Sequence, residues 1–265
     1  MVKKIIAFAL AASFAFGANV LEIVDGILGQ TSANTTALFG DGLDYLDEDG
    51  RPNIAKISNT LKSNSLFPTS YKEKINLDIQ FISSQANPLL LIKIVKEALN
   101  SLGFNEILTT EFANTQATIW GIRLNTKFML DPGSLYTAFK NTNTIIQAIE
   151  RTDTFTYKYA LDTSKSILNL TAVEIGKEIE LSKPLEPYFI DVSDANKVEI
   201  TAKNGDSWFA LVRILDKNLN LIDEKRKNKK TTKINFILPS NAKYITIDDA
   251  NSLENIKRGL RIHIQ

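Results

Sequence analysis

The sequence predicts an α+β chain: a helical leader, a split βαβ (ferredoxin-like, β-α-β-β-α-β) domain, and a C-terminal antiparallel β-sandwich of jelly-roll-like type. Three observations predict it. Asn87-Pro88 and Asp131-Pro132 each open an apolar helical run flanked by alternating strands. From residue 187 onward, strand-like runs recur roughly every ten residues with turn signals between them. The first residues have the layout of a secretory signal peptide.

Residues 1–18 read MVKKIIAFALAASFAFGA, with Lys3 and Lys4 ahead of an uncharged apolar stretch. That stretch is about 12 residues long, whereas a membrane-spanning helix needs about 20. Ala15, Gly17 and Ala18 supply small residues for cleavage. No later stretch is long and apolar enough to span, so the expected location is the periplasm, reached through a cleavable signal, with no transmembrane span afterwards. Removing Lys3 and Lys4 takes the formal charge from +1 to −1. A near-neutral protein has no global field to attract nucleic acid, so none is expected as a partner.

Residues 19–73 read as a leader. Val20, Ile23, Val24 and Ile27 suggest a short helix ending near Gly29. Residues 30–50 are polar and Gly-rich, with the acidic string DGLDYLDEDG at 41–50, and a second helix is expected from Pro52. Residues 74–162 form the predicted α+β domain. Ile75, Leu77, Ile79 and Phe81 alternate with polar residues, the period of a half-buried strand. The run from Pro88 ends at Gly103, and strands follow at 106–112 and 117–129. Leu135, Phe139, Ile146 and Ile149 then read as a helical stripe to about residue 150, before a strand at 154–161. Two helices are thus expected on one face of a four-stranded antiparallel sheet. Residues 163–186 read as a linker with room for one strand. Residues 187–265 carry seven strand-like runs, at 188–193, 197–203, 208–215, 219–225, 232–238, 243–248 and 259–265. Their pattern resembles the jelly-roll and pre-peptidase-like sandwiches appended to exported bacterial proteins, without a defining motif.

Composition narrows the chemistry. There is no Cys, and the one His, His263, alternates with Ile262 and Ile264 in a terminal strand. Thiol catalysis, zinc–thiolate sites and iron–sulfur clusters are excluded, and imidazole-dependent catalysis has almost nothing to use. No G-x-S-x-G and no phosphate loop is present, and neither Ser58 nor Ser70 has a Lys three residues on. Asp41, Asp44, Asp47, Glu48 and Asp49 invite comparison with a calcium loop, but the EF-hand frame would put Tyr45 and Lys56 at its first and last ligand positions. A solvated acidic loop is the reading adopted, and no cofactor or metal is expected. Carboxylate catalysis needs two facing acids; Glu111, Asp191 and Asp249 are candidates without special context.

The residues expected to touch a partner or ligand lie in the sandwich. Trp208, Phe209 and Tyr244 could stack on sugar rings, with Trp208 placed at a rim by the preceding turn. Lys225, Arg226, Lys227, Lys229 and Lys230 are expected in a hairpin that could grip a polyanion. Trp120 reads as core. The expected role is therefore a non-catalytic envelope scaffold or adaptor that binds an envelope protein, by strand addition or through residues 20–28, with a homo-oligomer also in view. A glycan- or peptidoglycan-binding protein, with cell-wall glycan as its ligand, is the alternative, and a carboxylate-dependent glycoside hydrolase the second.

Overall fold

Helix α1 (Val20–Leu28) opens with a reciprocal cap, in which the Asn19 side chain accepts from the Glu22 N–H while the Glu22 carboxylate accepts from the Asn19 N–H. The structure is a computed structural model and describes residues 19–30, 32–84, 87–168, 170 and 173–265. The signal-peptide reading lies outside the described residues. Among them, no helix is long and apolar enough to cross a membrane.

The chain divides into two compact units, the first ending at Leu168 and the second running to Gln265. The leader belongs to the first unit. After α1 come α2 (Ala33–Phe39), a short 3₁₀ turn (Leu43–Tyr45) and α3 (Ile54–Ser63). Helix α2 falls within the stretch read only as polar and Gly-rich. Asn53 caps α3, while Pro52 pairs with Leu46 in an isolated bridge instead of starting the helix.

The rest of this unit is β1 (Ser70–Ser83), α4 (Pro88–Ser101), β2 (Leu108–Asn114), β3 (Thr118–Phe128), α5 (Pro132–Lys140), β4 (Ile145–Asp153) and β5 (Thr156–Asp162). The expected four-stranded antiparallel sheet is a mixed five-stranded one, ordered β2-β3-β1-β5-β4, in which β1 runs parallel to β5. The correction arises at residues 141–150. Helix α5 stops at Lys140, Asn143 turns the chain with φ 54, and residues 145–153 become an edge strand. Ile146 and Ile149 share a face although they are three apart, because a register shift between Ile146 and Ala148 resets the alternation. A bulged strand thereby imitates helical spacing.

Leu77, Ile79 and Phe81 of β1 are buried, and Phe81 meets Phe139 of α5 edge-on at 6.3 Å and stacks on Tyr159 of β5 at 5.6 Å. Gly133 lets α5 approach α3, since a Cβ there would lie 2.9 Å from the Ser58 Cβ. Helix α1 buries Ile23, Val24 and Ile27 and packs on β4. Its apolar face, expected to be available to a partner, is covered by the chain's own sheet. Residues 163–168 are tied in through buried hydroxyls: Ser83 with Thr163 at 2.9 Å, and Thr144 with Ser166 at 2.8 Å.

The second unit consists of two antiparallel four-stranded sheets. Its strands are β6 (Glu178–Glu180), β7 (Tyr188–Asp191), β8 (Lys197–Ala202), β9 (Ala210–Leu215), β10 (Leu221–Arg226), β11 (Lys233–Ile237), β12 (Tyr244–Asp249) and β13 (Leu260–Ile264). Their orders are β10-β9-β12-β7 and β11-β8-β13-β6. Val198, Ile200, Val212, Ile214, Ile245, Ile247 and Ile262 alternate inward and form one apolar cluster with Trp208.

Candidate functional site

The sandwich residues chosen from sequence separate into core and surface. Trp208 is fully buried, its indole N–H donating to the Asp248 carbonyl at 2.8 Å. It is a core residue, not a rim platform. Tyr244 is fully buried too, its ring 5.5 Å from that of Phe189. Phe209 is half-buried, and its N–H donates to Asp249 at 2.7 Å. Two of the three rings are thus closed to a sugar, and Trp208 packs into the apolar core cluster.

The basic run does not form a hairpin. β10 and β11 belong to different sheets, so residues 227–232 cross from one sheet edge to another. Backbone bonds from Lys227 to the Ala210 carbonyl and from Thr231 to the Trp208 carbonyl, both 2.8 Å, hold the crossing against the start of β9. Lys225 pairs with Asp223 at 2.5 Å and Arg226 with Glu224 at 3.7 Å. Lys227, Lys229 and Lys230 are exposed. Such a segment repels other edges, as charged edge residues commonly do.

The candidate catalytic acids are engaged locally. Glu111 accepts from the Gln80 amide at 2.6 Å. Burial works against ionising Asp191, but bonds from Ser193 and Lys243 outweigh it and hold its carboxyl below the usual range. Asp249 behaves alike: burial opposes its charge, while the N–H groups of Phe209, Ser252 and Asn251 and the Asn255 amide stabilise it. Another polar cluster, Ser58–Asp131–Lys62, resembles nucleophile machinery in composition. Yet Asp131 is the N-cap of α5, accepting from Ser58, Ser134 and Lys62 as well as from two backbone N–H groups. It clamps α3 to α5.

A cleft that sequence reading missed lies where the 46–53 loop and α5 meet the start of β4. Its larger compartment, about 380 Å³, is floored by Pro52, Ile145 and Ile146. Asp47 is fixed by the Asn53 amide at 2.7 Å, by the Tyr136 hydroxyl and by Lys140 at 3.5 Å. Burial, and then the bond to Asp47, push the Tyr136 phenol far above its ordinary range. Asp49 pairs with Arg51, whose guanidinium holds the carboxyl below the usual carboxylate range. Asp47 thus ties the loop down, while Asp41, Asp44, Glu48 and Asp49 are exposed, in keeping with the solvated acidic loop expected. Among the described residues, no group of three or more acidic or His side chains is placed to hold a metal. The only sequence signal for the cleft is Tyr136 and Lys140 sharing one helix face; Asp47, 89 residues before Tyr136, could not be matched to them.

The sheet edges are the other exposed feature. β2 is an outermost strand, and it is exposed except at Ala113. Leu108 is 61% and Phe112 51% exposed. Its one charged residue, Glu111, is drawn across the sheet to Gln80. Comparison with known proteins found no matching family model, no matching curated protein and no matching solved structure.

Proposed function

We propose that this is an exported periplasmic envelope protein, non-catalytic, that acts as a scaffold or adaptor by receiving an extended segment of a partner along β2. The observation that carries the reading is the character of that strand. Edge strands are ordinarily blunted by charge, proline or cover. β2 presents Leu108 and Phe112 to solvent, and its lone carboxylate is turned away. Backbone groups on such an edge give affinity, and alternate side chains give selectivity. A register shift between Thr109 and Glu111 restricts the guest to a short pairing on either side of it.

On this reading, the first unit is a split βαβ, ferredoxin-like frame extended by β4. The order β2-β3-β1 with β5 on the far side of β1 supports this, the extra strand accounting for the parallel β1–β5 pair. The second unit is a jelly roll. Numbered from β6, its sheets run 1-8-3-6 and 2-7-4-5, the interleaving of two Greek keys. The alternative of glycan recognition by the sandwich loses its main support with the burial of Trp208 and Tyr244.

A photo-reactive amino acid placed at Phe112, in intact cells, tests the proposal. A discrete crosslinked species from Phe112, absent when the probe sits at exposed Lys229 on the basic crossing, is the expected result. No adduct at Phe112, or the same adducts from both positions, would reject β2 as the docking edge.

A further inference from the structure

The register of β2 against β3 places its two exposed apolar side chains on opposite faces of the sheet. Leu108 stands opposite Arg123 and Phe112 opposite Trp120, while the register steps over Thr110. Arg123 and Trp120 are three apart in a strand that pairs with β1 without a break from Ile75 to Ser83, so alternation turns them to opposite sides. Their neighbours agree. Trp120 shares its face with buried Ile122 and Leu124, whereas Arg123 is drawn to Asp78 at 2.7 Å on the other. The bulge at Thr110 thus separates Leu108 from Phe112, which by plain alternation would share a face. Gly121 makes room for that bulge, since a Cβ there would lie 2.9 Å from the Glu111 Cβ.

We propose that the partner segment received by β2 is an extended stretch with two large apolar residues at positions i and i+3 and no acidic residue between or beside them. This rests on the reading of β2 as the docking edge and names the guest that the edge selects. Residues directly opposite each other on neighbouring strands share a face. A guest without a bulge therefore needs an odd spacing to set one apolar side chain beside Leu108 and another beside Phe112, and the three steps from Arg123 to Trp120 fix it. An ordinary amphipathic strand repeats its apolar residues at i, i+2 and i+4, and so covers only one of the two. Charge sets the second condition. From Phe104 to Asn114 the chain carries Glu106 and Glu111 and neither Lys nor Arg, and Arg123 is engaged by Asp78. Like charges facing each other across strands are destabilising. The same condition disfavours a second copy of β2, which would bring another Glu106 and Glu111 to the edge.

The test is fluorescence polarisation of the full chain with three labelled peptides of one composition. K-T-L-T-T-F-T-K has its apolar residues three apart, whereas K-T-L-T-F-T-T-K and K-L-T-T-T-F-T-K have them two and four apart. The first should bind at least about five-fold more tightly than either control, and exchanging both of its Lys for Glu should weaken it. Phe112→Thr should bring it down to the level of the controls, with thermal unfolding unchanged. Equal binding of the three peptides, or binding of none, would overturn the proposal. If the photo-reactive probe at Phe112 still captures a discrete partner in that case, the docking edge stands and only the guest pattern falls. Binding that survives Phe112→Thr or the exchange to Glu, or a crosslinked dimer of this chain through Phe112, would overturn the proposal as well.

Discussion

The carbonyl oxygen of Ile149 occupies the space where a Cβ of Gly26 would stand. Helix α1 therefore rests on β4 as closely as backbone allows, and Arg151 of the same strand secures its end by donating to the Leu28 carbonyl at 3.1 Å. An edge strand that would otherwise offer itself to other chains is covered by the protein's own leader. The opposite edge of this sheet, β2, is exposed along most of its length.

Gly26→Ala should consequently destabilise the first unit more than a helical Gly-to-Ala change normally would. Helix propensity alone would favour Ala by about 1 kcal/mol. Forcing a methyl into a packed backbone contact costs about 1–3 kcal/mol and cannot be relieved by a rotamer change. A net loss of up to about 2 kcal/mol is expected, measured by urea denaturation. A stabilised variant would show that α1 does not bear on β4 at this point.

Asn143 carries the turn that ends α5 and starts β4, with φ 54. Asn tolerates that region, Gly prefers it, and a β-branched residue is strained there. Asn143→Gly should hold or slightly raise stability, whereas Asn143→Val should lower it by about 1–2 kcal/mol. Denaturation midpoints of the two variants provide the check, and equal midpoints would contradict the turn.

Much of the fold was legible because local chemistry agreed with tertiary structure. Asn87-Pro88 and Asp131-Pro132 start helices as expected, and all seven late strand runs are strands within a residue or two. The failures have physical causes. Ile146 and Ile149 read as helical because a bulge, which no composition rule reveals, restores their common face. Trp208 illustrates a second limit, since the turn before it does not tell whether a ring at the approach to a strand folds into the core or stands at the rim. The β4 cleft was invisible because Asp47 and Tyr136 are joined only by the closing of the chain.

The Asp131 clamp makes stability depend on pH in a defined direction. Burial opposes the charge, and bonds from Ser58, Ser134 and Lys62 outweigh burial, so the folded-state pKa lies below the ordinary carboxylate value. A depressed carboxyl contributes stability that is complete above the unfolded pKa, near 4, and is lost as pH falls through the folded value. Asp131→Asn keeps an N-cap acceptor but removes the charge. Its deficit against the unaltered protein should be about 2 kcal/mol at pH 7 and should shrink as pH drops below about 4. A deficit independent of pH would mean that the carboxylate form is not what holds α3 to α5.

Trp208 separates the core role from the ligand role. Its ring is closed to solvent and its N–H is bonded to Asp248, so truncation to Ala should cost about 3–5 kcal/mol, enough to unfold much of the sandwich. Any loss of cell-wall binding in that variant would then report unfolding and not a missing sugar contact. Trp208→Phe retains most of the packing and forfeits the bond, for about 1–2 kcal/mol. In the folded Trp208→Phe protein, sedimentation with purified sacculi should match that of the unaltered chain. Selective loss of sacculus binding by Trp208→Phe, with its unfolding midpoint only modestly lowered, would return the indole to a recognition surface and reinstate the glycan reading over strand addition at β2.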